Sequence, residues 1–503
     1  MIKQANTSSL DIIFRLRDVI EPSADAWLVG GSVRDQLAGK LSHDIDLIFP
    51  FDPRQIARQA ADRLGGNFFT LDDSRGMYRI LITENGQTDV VDFGRFQAET
   101  LEEDLKNRDF TINAVAYRLH NPTDWKDPLG GRQDLKDRLL RPCSEHAFIN
   151  DPVRTIRAAR MALGFNLHMV PGVIQMIREA SLGLKHVSAE RKRDEFFKLL
   201  DSPHPASAIR LLDSFNVLPQ LIPELIELKG VQQSLPHTMN VWEHTLSAVK
   251  HLDQLLDLFI APEGMLEDGG NLMLGLTAGK LGKFRQDIQK HYNHSLNPFR
   301  TRKSLGLLGA LLHDIGKPVT AKTGEDGRIH FYGHQTVGAE ITRRIGQSLA
   351  LSEVEVDGLS VMTESHMKPH FPIMKDTLPS RRNVYRYYRS AKDFGVDTCF
   401  LSLADSLSRT DTLPEQEAWT AVLDKISVYL EGWFDKRETW VQPPRLISGD
   451  DIMRHFSLEP GKIIGDVLDK LEEAQASGEI STREEALELA KITIHNHKKE
   501  SDE

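Results

Sequence analysis

The amino-acid sequence predicts an α+β protein in which a small mixed β-sheet is followed by a mainly α-helical body. Apolar and polar residues alternate with a period of two in several short runs before residue 95, as is typical of half-buried strands. From about residue 100 onward, the pattern becomes helical almost throughout. The chain has 503 residues, and at ~100–200 residues per domain this length predicts three or four domains.

The composition is that of a globular protein, with 40% hydrophobic and 27% charged residues. The two cysteines, Cys143 and Cys399, are far apart, so we expect no disulfide framework and a reducing, cytoplasmic compartment. No apolar run approaches the ~18 residues of a membrane span, and the first residues lack a signal-peptide pattern, so no membrane partner is expected. The net charge of −11 argues against a general polyanion binder. Residues 151–200 nevertheless carry nine Lys or Arg against five Asp or Glu, which could share one groove.

The first hundred residues predict strands with interleaved helices. Asn85 and Gly86 separate two of the strand-like runs, and an Asn-Gly pair is typical of a hairpin turn. The predicted strands cover residues 26–29, 44–49, 78–83 and 88–93, and the predicted helices cover residues 32–37 and 53–64.

A glycine pair lies where the first predicted strand gives way to a helix. Gly30 and Gly31 would allow the backbone to approach a phosphate closely, and the new helix would offer free N–H groups. Arg34 could pair with phosphate oxygens. By itself this pattern is equally typical of an ordinary turn.

Two carboxylates follow on the next predicted strand. Asp44 and Asp46 flank one residue, so their side chains should share a face of the strand. Paired carboxylates repel each other and suit Mg²⁺, and two such ions can activate a hydroxyl and neutralise a triphosphate. Asp92 is the best candidate for a third carboxylate, with Asp89 second. The alternative is a solvated strand face.

These motifs and three later ones resemble those of the class II tRNA nucleotidyltransferase and bacterial poly(A) polymerase family. The resemblance rests on residues 30–35, 44–46, 108–114, 127–135 and 151–160 in this order. It implies template-independent addition of nucleotides to the 3′ end of tRNA, with two Mg²⁺ ions in the catalytic head. The catalytic carboxylates it implies are Asp44, Asp46 and Asp92, and the nucleotide-binding residues are Gly30, Gly31, Arg34, Arg108, Asp109, Asn113, Asp151, Arg154, Arg157 and Arg160.

In this family, protein side chains select the incoming base. The resemblance implies that Asp151 and Arg154 bond the edge of the base, and their spacing of three predicts a shared helical face. Arg157 and Arg160 continue that face and could reach the triphosphate. An amphipathic helix with solvated arginines is the alternative. The sequence departs from the family at 107 and 150, where asparagines replace the usual Arg and Glu, which puts fine control of base choice or phosphate affinity in doubt.

A short segment after the third-carboxylate strand narrows the prediction of which nucleotides are added. Family members that add adenosine carry a mobile segment between the third-carboxylate strand and the motif at 108–114, whereas here residues 97–100 lead almost directly into a helix. This favours addition of two C residues from CTP, with a separate enzyme adding the final A. Full CCA addition, A addition from ATP and poly(A) synthesis are the alternatives.

A second constellation lies in the helical body. His313 and Asp314 adjoin inside an apolar stretch, where burying both without a cation would be costly. Together with four more residues they resemble the HD phosphohydrolase domain, which implies a divalent metal and hydrolysis of a phosphoester. The implied ligands are His244, His313, Asp314, His334, His366 and Asp405, and the neighbouring His330 and His370 are rivals for these places. The alternatives are a vestigial site, or an HD phosphohydrolase or RNA-binding protein whose head does not polymerise.

Basic residues in the helical body suggest RNA contacts. Those within residues 171–200 would suit acceptor-stem phosphates. Arg382, Arg386 and Arg389 share a helical face beside tyrosines, which suits RNA but equally suits a solvated helix with its tyrosines packed inward. The predicted parts are a catalytic head (1–142), a helical neck for nucleotide selection and RNA binding (143–230), an HD-type metal-binding domain (231–435) and a C-terminal helical module (436–503).

Overall fold

A computed structural model describes residues 8–40, 44–84, 87–261, 271–297, 300–369, 377–410 and 412–502. The predicted turn at 85–86 and His370 lie outside the described residues. The chain divides into two compact units. One comprises Met1–Ser188 with Ser214–Gln220, and the other comprises Ala189–Asp213 with Leu221–Glu503.

The first unit is built on a seven-stranded mixed sheet, which confirms the predicted fold class. Its strands are β1 (Trp27–Val29), β2 (Asp44–Phe49), β3 (Asn67–Asp72), β4 (Met77–Glu84), β5 (Gln87–Arg95), β6 (Ala116–Arg118) and β7 (Asn121–Lys126). Their order across the sheet is β3-β4-β5-β2-β1-β6-β7. The β2–β5 pair is parallel and the other pairs are antiparallel.

Three of these strands were absent from the sequence prediction. β6 and β7 contradict the expectation of helix almost throughout after residue 100, and β3 was not predicted. β6 is only three residues long, and β3 and β7 are the two edge strands of the sheet, with mostly exposed side chains. Such strands lack the alternation of buried and exposed positions that identifies a strand in a sequence.

Helices surround the sheet of the first unit. They are α1 (Ser8–Val19), α2 (Gly30–Leu37), α3 (Arg54–Leu64), α4 (Leu101–Lys106), α5 (Gly131–Lys136), α6 (Ala147–Asn150), α7 (Arg154–Gly164) and α8 (Val173–Ser181), with a small two-stranded sheet of β8 (Leu139–Leu140) and β9 (His168–Met169). Ile45, Leu47 and Phe49 of β2 enter the hydrophobic core that also holds residues of α1 and α3. Because side chains alternate along a strand, Asp44 and Asp46 are placed on the opposite face.

After Ser181, the regular structure of the described residues is helical apart from a two-stranded ribbon of β10 (Lys322–Thr323) and β11 (Ile329–His330). The helices are α9 (Ala189–Leu200), α10 (Pro205–Ser214), α11 (Leu218–Leu221), α12 (Val241–Ile260), α13 (Leu272–Leu281), α14 (Arg285–Asn293), α15 (Arg302–Leu312), α16 (Lys317–Thr320), α17 (His334–Ser348), α18 (Glu353–Ser365), α19 (Arg381–Ala391), α20 (Gly395–Leu407), α21 (Gln416–Phe434), α22 (Gly449–Phe456), α23 (Lys462–Ser477) and α24 (Arg483–Asp502). Within the described residues, no helix has the length and apolar character required to span a membrane.

The helical unit contains a central group of packed helices. α12 packs against α15 and α20, and α17 packs against α18. These helices carry the histidines and aspartates of the second constellation or end directly before them. The helices α22 to α24 share a separate small core that includes Ile452, Val467 and Ala490. The division into four domains remains a prediction.

Candidate functional sites

The glycine turn and the carboxylate strand meet in the first unit. Gly30 begins α2 with a φ of +74°, a left-handed conformation that favours glycine. A Cβ at this position would lie only 2.8 Å from Oδ2 of Asp46 and 3.1 Å from a guanidinium nitrogen of Arg108. The backbone N–H of Gly31 donates to the Asp46 carboxylate. The turn therefore packs directly against a carboxylate, and only glycine leaves room for this contact.

The Asp46 carboxyl group lies in an environment that disfavours its negative charge. Burial raises its pKa to about 6, and the nearby carboxylates of Asp92 and Asp44 add to the rise, although Arg108 opposes it. The parallel register places Asp46 beside Asp92, and Asp44 lies exposed on the same face of β2. A cation bound here would relieve both the burial and the repulsion, so this donor set suits Mg²⁺.

The predicted third carboxylate is engaged with an arginine. Asp92 lies directly opposite Arg79 in the β4–β5 register. Its two oxygens accept from Nε and Nη2 of Arg79 at 2.7 and 2.8 Å. Asp89, three residues before Asp92 in β5, lies opposite Ile82. The position of Asp92 next to Asp46 agrees with a role in the site, and its catalytic function remains a prediction.

A cavity of about 240 Å³ opens at this point of the head. It brings together most of the residues expected to bind the nucleotide, although they come from three separate sequence motifs. Its lining residues are Gly30, Gly31, Asp46, Arg108, Asp109, Asn113, Arg154 and Arg157. Three arginines and the carboxylates of Asp46 and Asp109 thus surround one opening, as binding of a polyphosphate with a metal ion requires.

One wall of the cavity is a hydrogen-bonded network centred on Asp109. This carboxylate accepts from Nη1 of Arg157 and Nδ2 of Asn113, each at 2.9 Å, and from the backbone N–H of Phe110 at 2.7 Å. Burial opposes ionisation of Asp109, but these partners, Arg157 above all, hold its pKa below the usual range. The charged carboxylate therefore fixes the side chains of Arg157 and Asn113.

Arg34 occupies a different position from the one expected for a phosphate ligand. It is buried, and its guanidinium donates to Oδ1 of Asp35 at 2.7 and 2.9 Å and to Oδ1 of Asn113 at 2.8 Å. The guanidinium also lies over the Phe165 ring, 4.3 Å from its centre. Neither Arg34 nor Arg160 belongs to the described residues that line the cavity. The observed contacts make Arg34 a support for Asn113, and its phosphate contact remains a prediction.

The geometry of the predicted base-reading pair differs from the expected helical face. Asp151 has an extended backbone and precedes α7, which begins only at Arg154, so the spacing argument was wrong for Asp151. The two side chains still approach, with Nε of Arg154 3.8 Å from Oδ2 of Asp151. The Arg154 guanidinium also donates to the backbone carbonyls of Asn107 and Arg108 at 2.9 and 3.0 Å. Arg154 is therefore held at the cavity wall, and its selection of a base remains a prediction.

The connection between β5 and α4 is short, and hydrogen bonds hold both of its ends. Only five residues separate the end of β5 at Arg95 from the start of α4 at Leu101. The backbone N–H of Gln97 donates to Asp104 at 2.8 Å, and its side chain donates to the carbonyls of Arg95 and Arg75. Thr100 caps α4 by accepting from the backbone N–H of Glu103.

The helical unit brings the second set of predicted ligands into one buried cluster. Nε2 of His244 lies 3.4 Å from Oδ2 of Asp314 and 3.1 Å from Oδ1 of Asp405. Nε2 of His313 lies 3.2 Å from Oδ2 of Asp314. The cluster contains two groups whose ligand atoms all lie within 4.8 Å of one another: His244, His313 and Asp314, and Asp314, His334 and His366.

Backbone carbonyls fix the orientation of all four histidine rings. Their Nδ1 atoms lie 2.7 to 2.8 Å from the carbonyl oxygens of Ser408, Ala310, Phe331 and Thr363, in the order His244, His313, His334 and His366. These distances identify Nδ1–H as the donor in each ring. The Nε2 atoms thus face the carboxylates, as around metal-binding histidines, in which Nε2 gives up any proton when the metal binds.

The electrostatics of this cluster also suit a cation. Burial alone would lower the pKa of His244, but Asp314 and Asp405 raise it to about 9. Burial lowers the pKa of His366 to about 3, which keeps its ring in the neutral form that binds metals. Among the described residues, Nε2 of His334 has no hydrogen-bond partner although it is buried. Together these features fit a divalent metal ion.

The structure also settles which neighbours belong to this cluster. His330 pairs with Asp326 and stacks on Tyr332, so it is not one of the clustered ligands. Lys317 was missed by the sequence analysis, although it follows the His-Asp pair by three residues. Its Nζ lies 2.6 Å from Oδ2 of Asp314 and donates to Gln233 at 2.7 Å.

The arginine face of α19 contacts acidic residues of the same unit. Arg382 pairs with Glu473 and Glu479, and Arg386 also pairs with Glu473, at distances of 2.5 to 3.1 Å. Arg389 pairs with Asp469 of α23 at 2.5 Å. The tyrosines of α19 are buried, as are Val384 and Ala391. These contacts favour a helix with inward-packed tyrosines over an RNA-binding face.

Comparisons with known proteins match four parts of the chain to family models. Residues 26–141 match the Poly A polymerase head domain, 166–228 a probable RNA- and SrmB-binding site of polymerase A, 278–410 the HD domain, and 443–490 a tRNA nucleotidyltransferase domain. The chain is similar to an A-adding tRNA nucleotidyltransferase of Deinococcus radiodurans, with 34% identity over 94% of this chain and 97% of the relative. It is 33% identical to a CC-adding tRNA nucleotidyltransferase of Thermus thermophilus, over 92% of each chain.

A solved structure of a CCA-adding enzyme in an apo form shares the fold. Its TM-score is 0.57 at 20% identity, and the match covers 95% of this chain and 93% of that one. The carboxylate strand, the arginine-lined cavity and the near full-length similarity to two curated enzymes lead to one conclusion. The chain belongs to the CCA-adding family of tRNA nucleotidyltransferases, as the sequence motifs predicted.

Proposed function

We propose that this enzyme adds the two C residues of the 3′ CCA end to tRNA, using CTP, and leaves the final A to a separate enzyme. The observation that carries the proposal is the connection of five residues between β5 and α4. The resemblance implies a longer, mobile segment at this place in enzymes that add adenosine. The relatives named CC-adding and A-adding are almost equally similar to this chain, so overall identity does not favour either activity.

The hydrogen bonds within the connection between β5 and α4 support the proposed addition of C alone. Gln97 and Thr100 both make hydrogen bonds that fix the backbone between β5 and α4. A nucleotide site that must change from C to A during the reaction needs a part that can rearrange, and a short, hydrogen-bonded connection offers little such freedom. A site with fixed walls suits addition of a single kind of base.

The residues of the head have distinct roles in this proposal. Asp44 and Asp46 would hold the Mg²⁺ ions, which when bound would supply activation of the 3′-hydroxyl and neutralisation of the triphosphate. Gly31 orients Asp46 through its backbone N–H. Arg108 and Arg157 line the cavity and attract the triphosphate of CTP.

Base selection is assigned to the pair that precedes and begins α7. The carboxylate of Asp151 accepts hydrogen bonds and the guanidinium of Arg154 donates them, which matches the mixed edge of cytosine. Arg154 is already held by two backbone carbonyls, so its position is fixed before CTP arrives. The Asp109 carboxylate likewise holds Arg157 in place by accepting a hydrogen bond from its guanidinium.

Incorporation assays test the specificity. A tRNA that lacks its 3′ CCA is incubated with Mg²⁺ and labelled CTP, ATP or both, and the products are resolved at single-nucleotide length. We expect two C additions and no A addition, and no product from ATP with a tRNA ending in CC. Addition of A to that tRNA would refute the proposed specificity, and incorporation of no nucleotide would refute the polymerase activity. The Asp46→Asn variant serves as the inactive control.

We further propose that the histidine-aspartate cluster binds a divalent metal and hydrolyses phosphoesters at damaged tRNA 3′ ends. The supporting observation is that all four rings direct Nε2 toward the carboxylates. The protein as purified should contain metal by elemental analysis and should release phosphate from a phosphomonoester or open a cyclic phosphate. Lack of both metal and hydrolysis after supplementation with Mg²⁺, Mn²⁺, Co²⁺ and Ni²⁺ would refute this function.

A further inference from the structure

The catalytic carboxylates of the first unit belong to a row of side chains that crosses the sheet. Asp46 lies beside Asp92 in the pairing of β2 with β5. Arg79 lies opposite Asp92, and Phe69 of the edge strand β3 lies opposite Arg79. Directly paired residues present their side chains on the same face of a sheet, and we call these four residues the catalytic row. Because neighbouring strands lie about 4.8 Å apart, the backbones of Arg79 and Phe69 lie about 5 and 10 Å from that of Asp92.

Phe69 presents an exposed ring at the outer end of the catalytic row. It is 45% exposed, although it lies within a strand. The preceding Phe68 points to the opposite face, where its ring stacks on Tyr78 of the hydrophobic core with ring centres 5.7 Å apart. Because side chains alternate along a strand, Phe69 lies on the face that carries Asp46 and Asp92. An exposed aromatic ring on this face is a platform on which a nucleobase can stack.

Arg79 lies between this ring and the catalytic carboxylates and has unused donors. A guanidinium group carries five N–H donors, and Asp92 accepts only from Nε and Nη2, at 2.7 and 2.8 Å. Within the described part of the chain, no group accepts a hydrogen bond from Nη1 of Arg79. The side chain is 32% exposed, so a ligand can reach it. The ion pair with Asp92 therefore fixes the guanidinium, while Nη1 stays available to a phosphate oxygen.

We propose that Phe69 and Arg79 bind the terminal nucleotide of the tRNA, whose 3′-hydroxyl attacks the incoming triphosphate. The base of this nucleotide stacks on the Phe69 ring, and the phosphate on its 5′ side accepts a hydrogen bond from Nη1 of Arg79. The 3′-hydroxyl then lies toward the Asp46 end of the catalytic row, so the row spans one nucleotide from its reacting end to its base. This inference rests on the proposed addition of nucleotides to tRNA, but not on which nucleotide is added.

Two features favour RNA over a protein partner at this ring. The catalytic face must stay open to tRNA, and a protein seated on Phe69 would cover Arg79 and Asp92 beside it. A guanidinium nitrogen next to an aromatic ring also matches the alternating phosphates and bases of a single strand. Stacking tolerates any base. This tolerance suits a position that first holds the last base of the unextended tRNA and later holds an added nucleotide.

The test removes either the ring or the base. The full-length protein is given CTP with a tRNA lacking CCA, or ATP with a tRNA ending in CC if it uses only ATP, and the last nucleotide of the tRNA is normal or abasic. In the wild type, we expect the abasic end to raise KM for tRNA about tenfold, as loss of one stacked base predicts. Phe69→Ala should raise KM for the normal tRNA by the same factor and leave KM for the abasic tRNA and for the triphosphate unchanged. Phe69→Tyr should behave like the wild type, because it retains the ring.

Phe14→Ala is the matched control, because it removes another exposed phenyl ring. Phe14 is 54% exposed on α1, which packs on the opposite face of the sheet, so KM for both tRNAs should stay at the wild-type value. Filter binding of the two tRNAs to the same variants gives a readout that does not need turnover.

The phosphate contact is tested by binding alone, since Arg79 also holds Asp92 and its loss should slow the reaction. A tRNA whose last phosphate is replaced by a neutral methylphosphonate should bind the wild type about tenfold more weakly, as loss of a charge-assisted hydrogen bond predicts. Arg79→Gln should bind the normal tRNA about tenfold more weakly, and the methylphosphonate tRNA as well as the wild type does. Losses that multiply when both changes are combined would show that Arg79 does not contact this phosphate and would overturn the inference.

The ring and the base must likewise depend on each other. An unchanged KM for the normal tRNA in Phe69→Ala would overturn the inference, and so would an equal rise for both tRNAs, which would show that Phe69 only supports the fold of the site. If the wild type adds no nucleotide, the proposed function is wrong, and filter binding decides the inference by the same comparison. If Phe69→Ala binds both tRNAs normally but loses a dimer on sedimentation, β3 is a protein contact and the inference is wrong.

Discussion

Replacing Gly30 by alanine tests whether the glycine turn fixes a catalytic carboxylate. The new Cβ would lie 2.8 Å from Oδ2 of Asp46, whereas ordinary van der Waals contact begins at 3.4 Å, so the carboxylate must retreat by about 0.6 Å. The left-handed φ of +74° adds roughly 1–2 kcal/mol of strain to any residue with a Cβ. Gly30→Ala should therefore lose both stability and catalytic geometry.

The chain offers a matched control for this substitution. Gly65 has a φ of +68°, and a Cβ there would meet nothing within 4 Å. Gly65→Ala should thus lose the same roughly 1–2 kcal/mol through backbone strain alone. A displacement of about 1 Å at a reacting group can slow a reaction ~100-fold, so the smaller shift of Asp46 predicts a loss of roughly ten- to a hundredfold in Gly30→Ala only.

The assay measures both effects in parallel. Single-turnover incorporation of CMP into tRNA lacking CCA, at saturating CTP and Mg²⁺, reports the catalytic effect, and urea denaturation reports the stability. We expect Gly65→Ala to react at nearly the wild-type rate. If Gly30→Ala, with a similar loss of stability, also reacts within threefold of the wild type, then close packing of the turn against Asp46 is not needed for catalysis.

Three further predictions concern charged residues of both units. Arg157→Gln should destabilise the first unit by roughly 3 kcal/mol at pH 7, because it leaves Asp109 buried without its ion-pair partner. Since the pKa of Asp109 is lowered in the fold, the difference in urea-induced unfolding between variant and wild type should be full above about pH 4 and shrink as the pH falls further; a constant difference would contradict the ion pair. In His313→Ala, elemental analysis should show loss of metal from the helical unit, while CMP incorporation should stay within twofold of the wild type. Loss of both the metal and CMP incorporation would contradict two separate sites. Arg386→Ala and Glu473→Ala should each change tRNA affinity less than twofold by filter binding, because these side chains pair with each other; a tenfold loss for Arg386→Ala alone would restore the RNA-binding interpretation.

The sequence predicted the catalytic head well because its signals are local. Asp44 and Asp46 alternate with apolar residues, and this period of two alone places both on one face of β2. The glycine pair and the adjacent His313 and Asp314 are equally local. The short strand β6 was missed, since three residues are too few to show a period.

The partners of the site residues depend on distant parts of the chain. Asp92 was predicted as the third carboxylate of the catalytic site from its position, and the register of β4 against β5 places Arg79 on both of its oxygens. Arg34 was predicted to bind phosphate, but the fold brings Asn113 to its guanidinium. Spacing along a strand or helix specifies the face on which a side chain lies, and it contains no information about the group that lies opposite.

By itself, the sequence determined the fold class, the family and the residue types of both sites, because motif order and periodicity are properties of neighbouring residues. Only the tertiary structure decided which charged side chains are paired with one another. It paired the arginines of α19 with acidic residues some 80 to 100 positions later in the chain, and it directed four histidines from separate helices toward one carboxylate. Such contacts follow from how the helices pack, and packing depends on the whole chain.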